Sequence, residues 1–324
     1  NDKMKNAPHP KNKKHRDIPA FEMIKKSINI HRGCFGGCSF CAIAAHQGKQ
    51  IASRSEASIL AEVRDLAQRD YFKGHISDLG GPSANMYQMH GRDSSLCIKC
   101  QRDSCIFPQK CKNLIASHFP LINLYKKAAL VSGVRHITIG SGIRYDMLLT
   151  EDSAEDLANG YTEYLNQVVA NHVSGRLKVA PEHTDPSVLK RMRKPDFRNF
   201  ELFLKRFQKA NRQAGKNQQL IPYLISSFPG CTLENMAQLA VKCKANNLIT
   251  DQVQDFTPTP MTYATALYYL GFDPYTGEKI PVARKVDDKR NQHLFFFYKK
   301  PKNRERYEKV IKKINRQDLK RKLF

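Results

Sequence analysis

The sequence predicts an α/β fold: a partial (β/α)6 TIM-like barrel of parallel strands, interrupted by a cysteine-rich insertion and followed by a basic C-terminal extension. Three observations carry this. Short apolar runs alternate six times with longer amphipathic stretches, seven of the nine cysteines fall between Cys34 and Cys111, and residues 279–324 hold 17 basic against 5 acidic side chains. A strand that returns through a helix to a new strand makes a parallel pair, and right-handed crossovers curl such a sheet toward a barrel. The chain has 324 residues, 41% of them hydrophobic and 26% charged, so it can bury a core and is not disordered throughout.

In chain order, residues 1–20 are a polar lead-in rich in Lys, Asn and Pro, and folding starts near Pro19. Strands are expected at 27–30, 75–79, 136–139, 176–179, 220–225 and 251–256. Helices are expected at 55–68, 121–131, 153–171, up to about Gln213, and at 233–245. A final strand at 292–298 and a basic helix at 304–323 complete the chain. The core is thus 21–273, with the insertion at 83–117 inside it and the extension at 274–324. Barrels of this kind place chemistry at the C-terminal ends of their strands. The segments to inspect are therefore 34–41, Gly80-Gly81-Pro82, 141–144, Pro181-Glu182-His183 and 226–231.

The longest apolar and aromatic run near the C-terminus, Leu294-Phe295-Phe296-Phe297-Tyr298, is far short of the roughly 18–20 residues of a membrane span. No basic-then-apolar secretory leader opens the chain, so the expected location is the cytoplasm. Clustered thiols in a reducing compartment read as metal or cluster ligands, because disulfides do not persist there.

Cys34, Cys38 and Cys41 have the spacing C-x3-C-x2-C, directly after the first expected strand. Three thiolates on one short loop can share one metal centre, and Gly33, Gly36 and Gly37 let the backbone wrap closely. A structural zinc site takes four protein ligands, which here would require His31 or His46. A 4Fe-4S cluster held by three thiolates leaves one iron open for a substrate or cofactor.

The loop, with Phe40 directly before its third cysteine, resembles the signature of radical S-adenosylmethionine (radical SAM) enzymes. The string from His31 through Ile43 and the run Ser77-Asp78-Leu79-Gly80-Gly81-Pro82 resemble the YgiQ family of that superfamily. The resemblance starts near Pro8 and extends over Ser141-Gly142-Ile143-Arg144-Tyr145-Asp146, Val179-Ala180-Pro181-Glu182-His183, Phe228-Pro229-Gly230 and Phe256-Thr257-Pro258-Thr259-Pro260. It implies that Cys34, Cys38 and Cys41 ligate three irons of a 4Fe-4S cluster, while S-adenosyl-L-methionine chelates the fourth. An injected electron, from a flavodoxin- or ferredoxin-like donor, would release a 5′-deoxyadenosyl radical that abstracts hydrogen from substrate.

The same resemblance places Phe40 near the adenine and the Gly80-Gly81 backbone at the methionine amino group. Pro82 stands where the superfamily has a Glu. Glu182 becomes the ribose-binding residue, since a carboxylate accepts from both sugar hydroxyls. Ser141 and Arg144 follow the third strand, with Arg144 either a bidentate partner for the methionine carboxylate or, equally, one half of a surface salt bridge. Family members also carry an N-terminal region likened to a cobalamin-binding domain, so the chain is expected to be a fragment lacking it. Methylthiolation and methyl transfer both remain open.

Cys97, Cys100, Cys105 and Cys111 form a second group within the insertion. Four thiolates close a tetrahedral site, and zinc is favoured over an auxiliary iron-sulfur cluster as the commoner occupant. The loop around them is polar, so metal binding would supply its folding energy. Cys231 reads as a strand-end residue and Cys243 as a buried helical thiol. His46, His183 and His293 read as ordinary hydrogen-bonded side chains, with His183 lining the site beside Glu182.

Two function classes follow: a radical SAM enzyme acting on RNA or another macromolecule, and a nucleic-acid-binding module whose cluster is structural. The formal charge of +24 bears on the partner. Residues 1–32 carry +6 and 279–324 carry +12, so the 246 residues between them hold only +6.

Overall fold

The computed structural model of the chain describes residues 18–323. The polar lead-in, apart from its last three residues, and the start of the resemblance near Pro8 lie outside the described residues. The first element is the helix Pro19–Ile24, where the proline ring presets a helical φ in the first turn.

Seven short strands make the parallel framework: β1 (Ser27–Asn29), β2 (His75–Ile76), β3 (Asp78–Gly80), β4 (His136–Ile137), β5 (Arg176–Glu182), β6 (Gln219–Ser226) and β7 (Gln252–Asp255). β1 pairs with β3, Ile28 opposite Leu79, and β2 pairs with β4, Ile76 opposite Ile137. β6 lies between β5 and β7 and runs parallel to both. β2 and β3 flank Ser77 as one interrupted strand, and Ile143, beyond β4, bridges in parallel to Val179 of β5. Spatial order therefore follows chain order through six strand positions, as successive βα units require. Among the described residues β1 and β7 do not pair with each other, so the pairings give a mixed α/β fold with parallel strands and no closed ring.

The helices between these strands bury one face each. Ser55 caps the helix Glu56–Ala67 by accepting from the Ser58 amide, and Ile59, Val63 and Leu66 form its buried stripe. In Phe197–Gln213 the stripe is aromatic: Phe197, Phe200, Phe203 and Phe207 are all buried. Thr232 and Asn235 form a reciprocal cap at the start of Leu233–Ala245. One apolar cluster runs from Ile28 and Leu79 through Val179 and Leu224 to Leu294, Phe295, Tyr307, Val310, Ile311 and Leu319. The C-terminal extension is thus packed into the same core as the strands.

Several expected elements are different in the structure. The run at 292–298 is no strand: it is the end of the helix Val286–His293 followed by a 3₁₀ turn, Leu294–Phe297. A short apolar run reads equally well as strand or buried helix, and here Gln292 decides the matter by accepting from the Ser227 amide at 2.8 Å and donating to the Cys231 carbonyl at 2.8 Å. The helix expected at 153–171 is divided into Ser153–Asn159, Tyr161–Gln167 and a π segment, Val168–His172. Gly160 sits in the left-handed region at φ +69° and divides it. The basic helix at 304–323 is likewise two, Arg304–Lys313 and Gln317–Leu323, with Asn315 at φ +52° between them. The strand expected at 136–139 keeps only His136–Ile137. Among the described residues no helix is long and apolar enough to cross a membrane.

Candidate metal and cofactor site

The loop that carries Cys34, Cys38 and Cys41 follows β1 and is tied down by backbone hydrogen bonds from three directions. The Cys34 amide donates to the Gly48 carbonyl at 3.1 Å, the Ser39 amide to the Met192 carbonyl at 3.1 Å, and the Ala264 amide to the Ser39 carbonyl at 2.9 Å. The insertion closes the remaining side. The Cys105 amide donates to the Phe35 carbonyl at 3.0 Å and the buried Ser104 hydroxyl to the Gly36 carbonyl at 2.8 Å. The three thiols are partly buried and unoxidised.

Two N–H donors point at sulfur: the Gly36 amide reaches Cys34 Sγ at 3.4 Å and Arg144 Nη1 reaches Cys38 Sγ at 3.3 Å. Donors so placed stabilise thiolate ligands and are the outer partners a metal-sulfur centre uses. Burial pushes the Cys34 thiol up to about 11, reinforced by Cys38 and opposed by Arg144. Among the described residues no three His, Cys, Asp or Glu side chains converge as the ligands of a single ion do. A four-iron cluster asks for something else, one thiolate per iron at separate corners. The loop fits that demand in its thiol number, its small residues and its sulfur-directed donors.

Gly37 shows how tightly the loop and insertion meet. Its φ is +62°, and a Cβ there would lie 2.3 Å from the Asp103 carbonyl oxygen. Gly37→Ala is expected to cost about 1–3 kcal/mol through the strained backbone alone. Thermal or urea unfolding should show it, together with faster proteolysis around residue 103 as the insertion lifts away.

The other expected contacts are distributed unevenly. Phe40 meets Phe228 edge-on with ring centroids 6.3 Å apart, and Phe228 meets Phe256 at 5.3 Å. Beside this aromatic wall is a cavity of about 420 Å³, reached by Phe40, Cys41, Asp255 and Thr257. Gly80 ends β3 and Gly81 follows it, both in close contact with their neighbours. A Cβ on Gly80 would lie 2.4 Å from Ser141 Oγ, and one on Gly81 would lie 2.6 Å from His31 Nε2. Ser141 itself is exposed and bound to Asp78 through both its amide and its hydroxyl, each at 3.1 Å.

Arg144 departs from its expected role. Its Nε and Nη2 donate to the two carboxylate oxygens of Asp146 at 2.9 and 2.6 Å, and its remaining Nη1 goes to Cys38. The bidentate fork assigned to a methionine carboxylate is already filled from two residues along the chain. It is also no surface salt bridge, since both side chains are about nine-tenths buried. Burial alone would raise the Asp146 carboxyl, but Arg144 and then Lys194 hold it below its usual range.

Glu182 ends β5 with φ +68° and is buried, 3.7 Å from the equally buried Lys194. Burial raises its carboxyl, with Lys194 and Arg144 acting in the opposite direction. A non-glycine residue in the left-handed region at a strand end is strain of the kind functional sites retain. Lys194 was invisible to sequence reading. It reaches Glu182 because Arg193, at φ +57°, ends the helix Pro186–Met192 and reverses the chain.

His183 is fully buried. Its Nδ1 accepts from the Asp185 amide at 3.0 Å, so the ring proton sits on Nε2, which faces the buried Cys231 Sγ at 3.5 Å. Desolvation pushes this histidine down to about 4 and the Cys231 thiol far up, so the pair is neutral and structural. Cys231 lies in the loop after β6, and Cys243 is buried in the helix Leu233–Ala245. His293 pairs with Asp255 at 2.9 Å, while His46 is exposed at the 420 Å³ cavity.

The structure therefore defines a parallel α/β chain with a thiol-rich centre at the end of its first strand and a second thiol group docked against it. Relatives of known name are consistent in their identity. A UPF0313 protein of Bacteroides thetaiotaomicron is 54% identical over 98% of this chain and 51% of its own length. UPF0313 proteins of Porphyromonas gingivalis and Methanocella arvoryzae are 51% and 43% identical, over 98% and 96% of this chain and 50% of each relative. The chain spans about half the length of these curated relatives. Residues 251–321 match the family described as a domain of unknown function, DUF3362. Among solved structures, the radical S-adenosylmethionine methyltransferase TsrM from Kitasatospora setae, with tryptophan substrate and a SAM analogue bound, aligns at 15% identity and a TM-score of 0.44. The alignment covers 76% of this chain and 38% of that one.

Proposed function

We propose that this chain is the core of a radical S-adenosylmethionine enzyme in which Cys34, Cys38 and Cys41 hold a 4Fe-4S cluster and S-adenosyl-L-methionine completes its fourth iron. The observation that carries the reading is the loop itself: three thiols in C-x3-C-x2-C spacing at the end of the first parallel strand, with N–H donors aimed at Cys34 and Cys38 sulfur. The bound group supplies reductive cleavage of a sulfonium carbon-sulfur bond and hydrogen abstraction from substrate.

The chain's own residues do the rest. Six parallel strand positions in chain order support a partial (β/α)6 barrel whose strand ends face the cluster. The cavity beside Cys41 takes the adenosyl group against Phe40, and Phe228 and Phe256 exclude water from one side. Glu182, with Lys194 3.7 Å away, accepts from the ribose hydroxyls. Arg144 donates to Cys38 Sγ and to Asp146 instead of binding the methionine carboxylate. An electron must come from outside, so a flavodoxin- or ferredoxin-like donor belongs to the proposal. The basic segment 279–324 supports a polyanionic macromolecule, RNA first, as the substrate class.

The test is anaerobic reconstitution with iron and sulfide, addition of S-adenosyl-L-methionine and dithionite, and quantitation of 5′-deoxyadenosine. Multiple turnovers are expected. A fully loaded cluster that yields none would sink the proposal.

A further inference from the structure

Cys97, Cys100, Cys105 and Cys111 lie outside the site just described, and the radical reading makes no use of them. All four line one cavity of about 830 Å³ between the insertion and the first thiol loop, with Phe35 and Lys49 in its opposite wall. Local backbone bonds shape the turns that carry them. The Cys100 amide donates to the Cys97 carbonyl at 3.3 Å, closing the C-x2-C turn, and the Cys111 amide donates to the Cys105 carbonyl at 2.7 Å. Two sulfurs already receive donors from elsewhere in the chain. Asn113 Nδ2 reaches Cys97 Sγ at 3.3 Å, and Lys49 Nζ reaches Cys100 Sγ at 3.7 Å from a different part of the fold. Gly91 is needed under Cys97, because a Cβ there would lie 2.2 Å from its sulfur.

The surrounding segment has little else to hold it. Its regular structure is a two-residue antiparallel ladder, His90–Gly91 with Leu114–Ile115, and the five-residue helix Ser94–Ile98. The apolar side chains of that helix point outward, Leu96 being 59% and Ile98 78% exposed. Its apolar contacts are a small cluster, Met86, Met89 and Ala116 with Ile106 and Leu114 beside Phe35, so a cross-link would contribute much of what offsets its ordering entropy. No disulfide is present, and all four thiols are free.

We infer that these four cysteines hold a second thiolate-preferring metal centre, either a zinc ion or an iron-sulfur cluster, independent of the cluster on the first loop. Four soft thiolates with amide and ammonium donors directed at their sulfurs are the ligand chemistry of both. The centre fastens the insertion, and through Ser104 and Cys105 it fastens the cover over Phe35 and Gly36.

The test uses the full chain with Cys34→Ala, Cys38→Ala and Cys41→Ala combined, so the first loop is removed from the measurement. Elemental analysis of this variant should find either about one zinc or an iron-sulfur complement per chain, with all-sulfur coordination by X-ray absorption; the two arms distinguish the metals. Adding Cys97→Ser and Cys100→Ser should lower that content at least tenfold with unchanged far-UV circular dichroism. A folded triple variant without metal, or metal retained after the two serine changes, overturns the inference. Where the triple variant does not fold, the wild-type chain decides by alkylation and peptide mapping. The four thiols at 97, 100, 105 and 111 should react as one group, at least tenfold slower in metal-loaded than in chelator-stripped protein. Equal rates overturn the inference too. Neither outcome touches 5′-deoxyadenosine formation, which tests the first site alone.

Discussion

Cys38→Ser will reduce 5′-deoxyadenosine formation to below about one-hundredth of wild type, and Cys34→Ser and Cys41→Ser will do the same. Mutating an outer partner of a metal ligand already costs about 10–100-fold, so losing a ligand on a site with only three costs more. The loss should be one of cluster content and not of fold. Each thiol sits on a loop fixed by backbone bonds to Gly48, Met192 and Ala264, none of which involves a sulfur atom. The measurement is therefore paired: iron per chain and the 400-nm region absorbance beside a thermal melt. Serine variants that retain iron and activity would show that the loop is not the cluster's seat. Variants that lose both with an unchanged melt would bear out its role.

Much of this was legible in the sequence for a physical reason. Helices such as Leu233–Ala245 and strands such as β6 announce themselves by apolar period and length, because a parallel strand is buried on both faces and a helix on one. That Cys34, Cys38 and Cys41 share one loop was legible because their spacing is local. What failed was whatever depended on tertiary context. Leu294-Phe295-Phe296-Phe297 has a strand's composition, yet it turns as a 3₁₀ segment because Gln292 is committed to Ser227 and Cys231. Lys194 could not be matched to Glu182, since the contact depends on a left-handed cap at Arg193 that no residue pattern signals. The charge of the C-terminal extension was correctly located, but its buried Tyr307, Val310, Ile311 and Leu319 bind it to the core. Its basic residues cover a docked face and do not form a free arm.

Arg144, expected at a methionine carboxylate, grips Asp146 and Cys38 in the structure, and it gives the second large effect. Arg144→Ala leaves Asp146 buried without its counter-charge, which should destabilise the fold by about 3–5 kcal/mol. The double change Arg144→Ala with Asp146→Ala should cost less than that, because removing both partners leaves no unpaired charge in the interior. Arg144→Lys separates the second role from the first. Lysine keeps a charge near Asp146 but lacks a planar fork that can grip the carboxylate and Cys38 Sγ together. A hydrogen bond to a ligand sulfur favours the reduced, more negative cluster, so its loss should lower the midpoint potential. If it is worth on the order of 1.4 kcal/mol, the drop is about 59 mV for one electron. An anaerobic redox titration of the reconstituted Arg144→Lys protein reads this directly, whatever its turnover. A potential equal to wild type would mean that the 3.3 Å contact to Cys38 does not persist in the loaded protein. A drop with a near-normal melt would establish that this buried guanidinium poises the cluster for reduction and leaves recognition of the methionine carboxylate to another group.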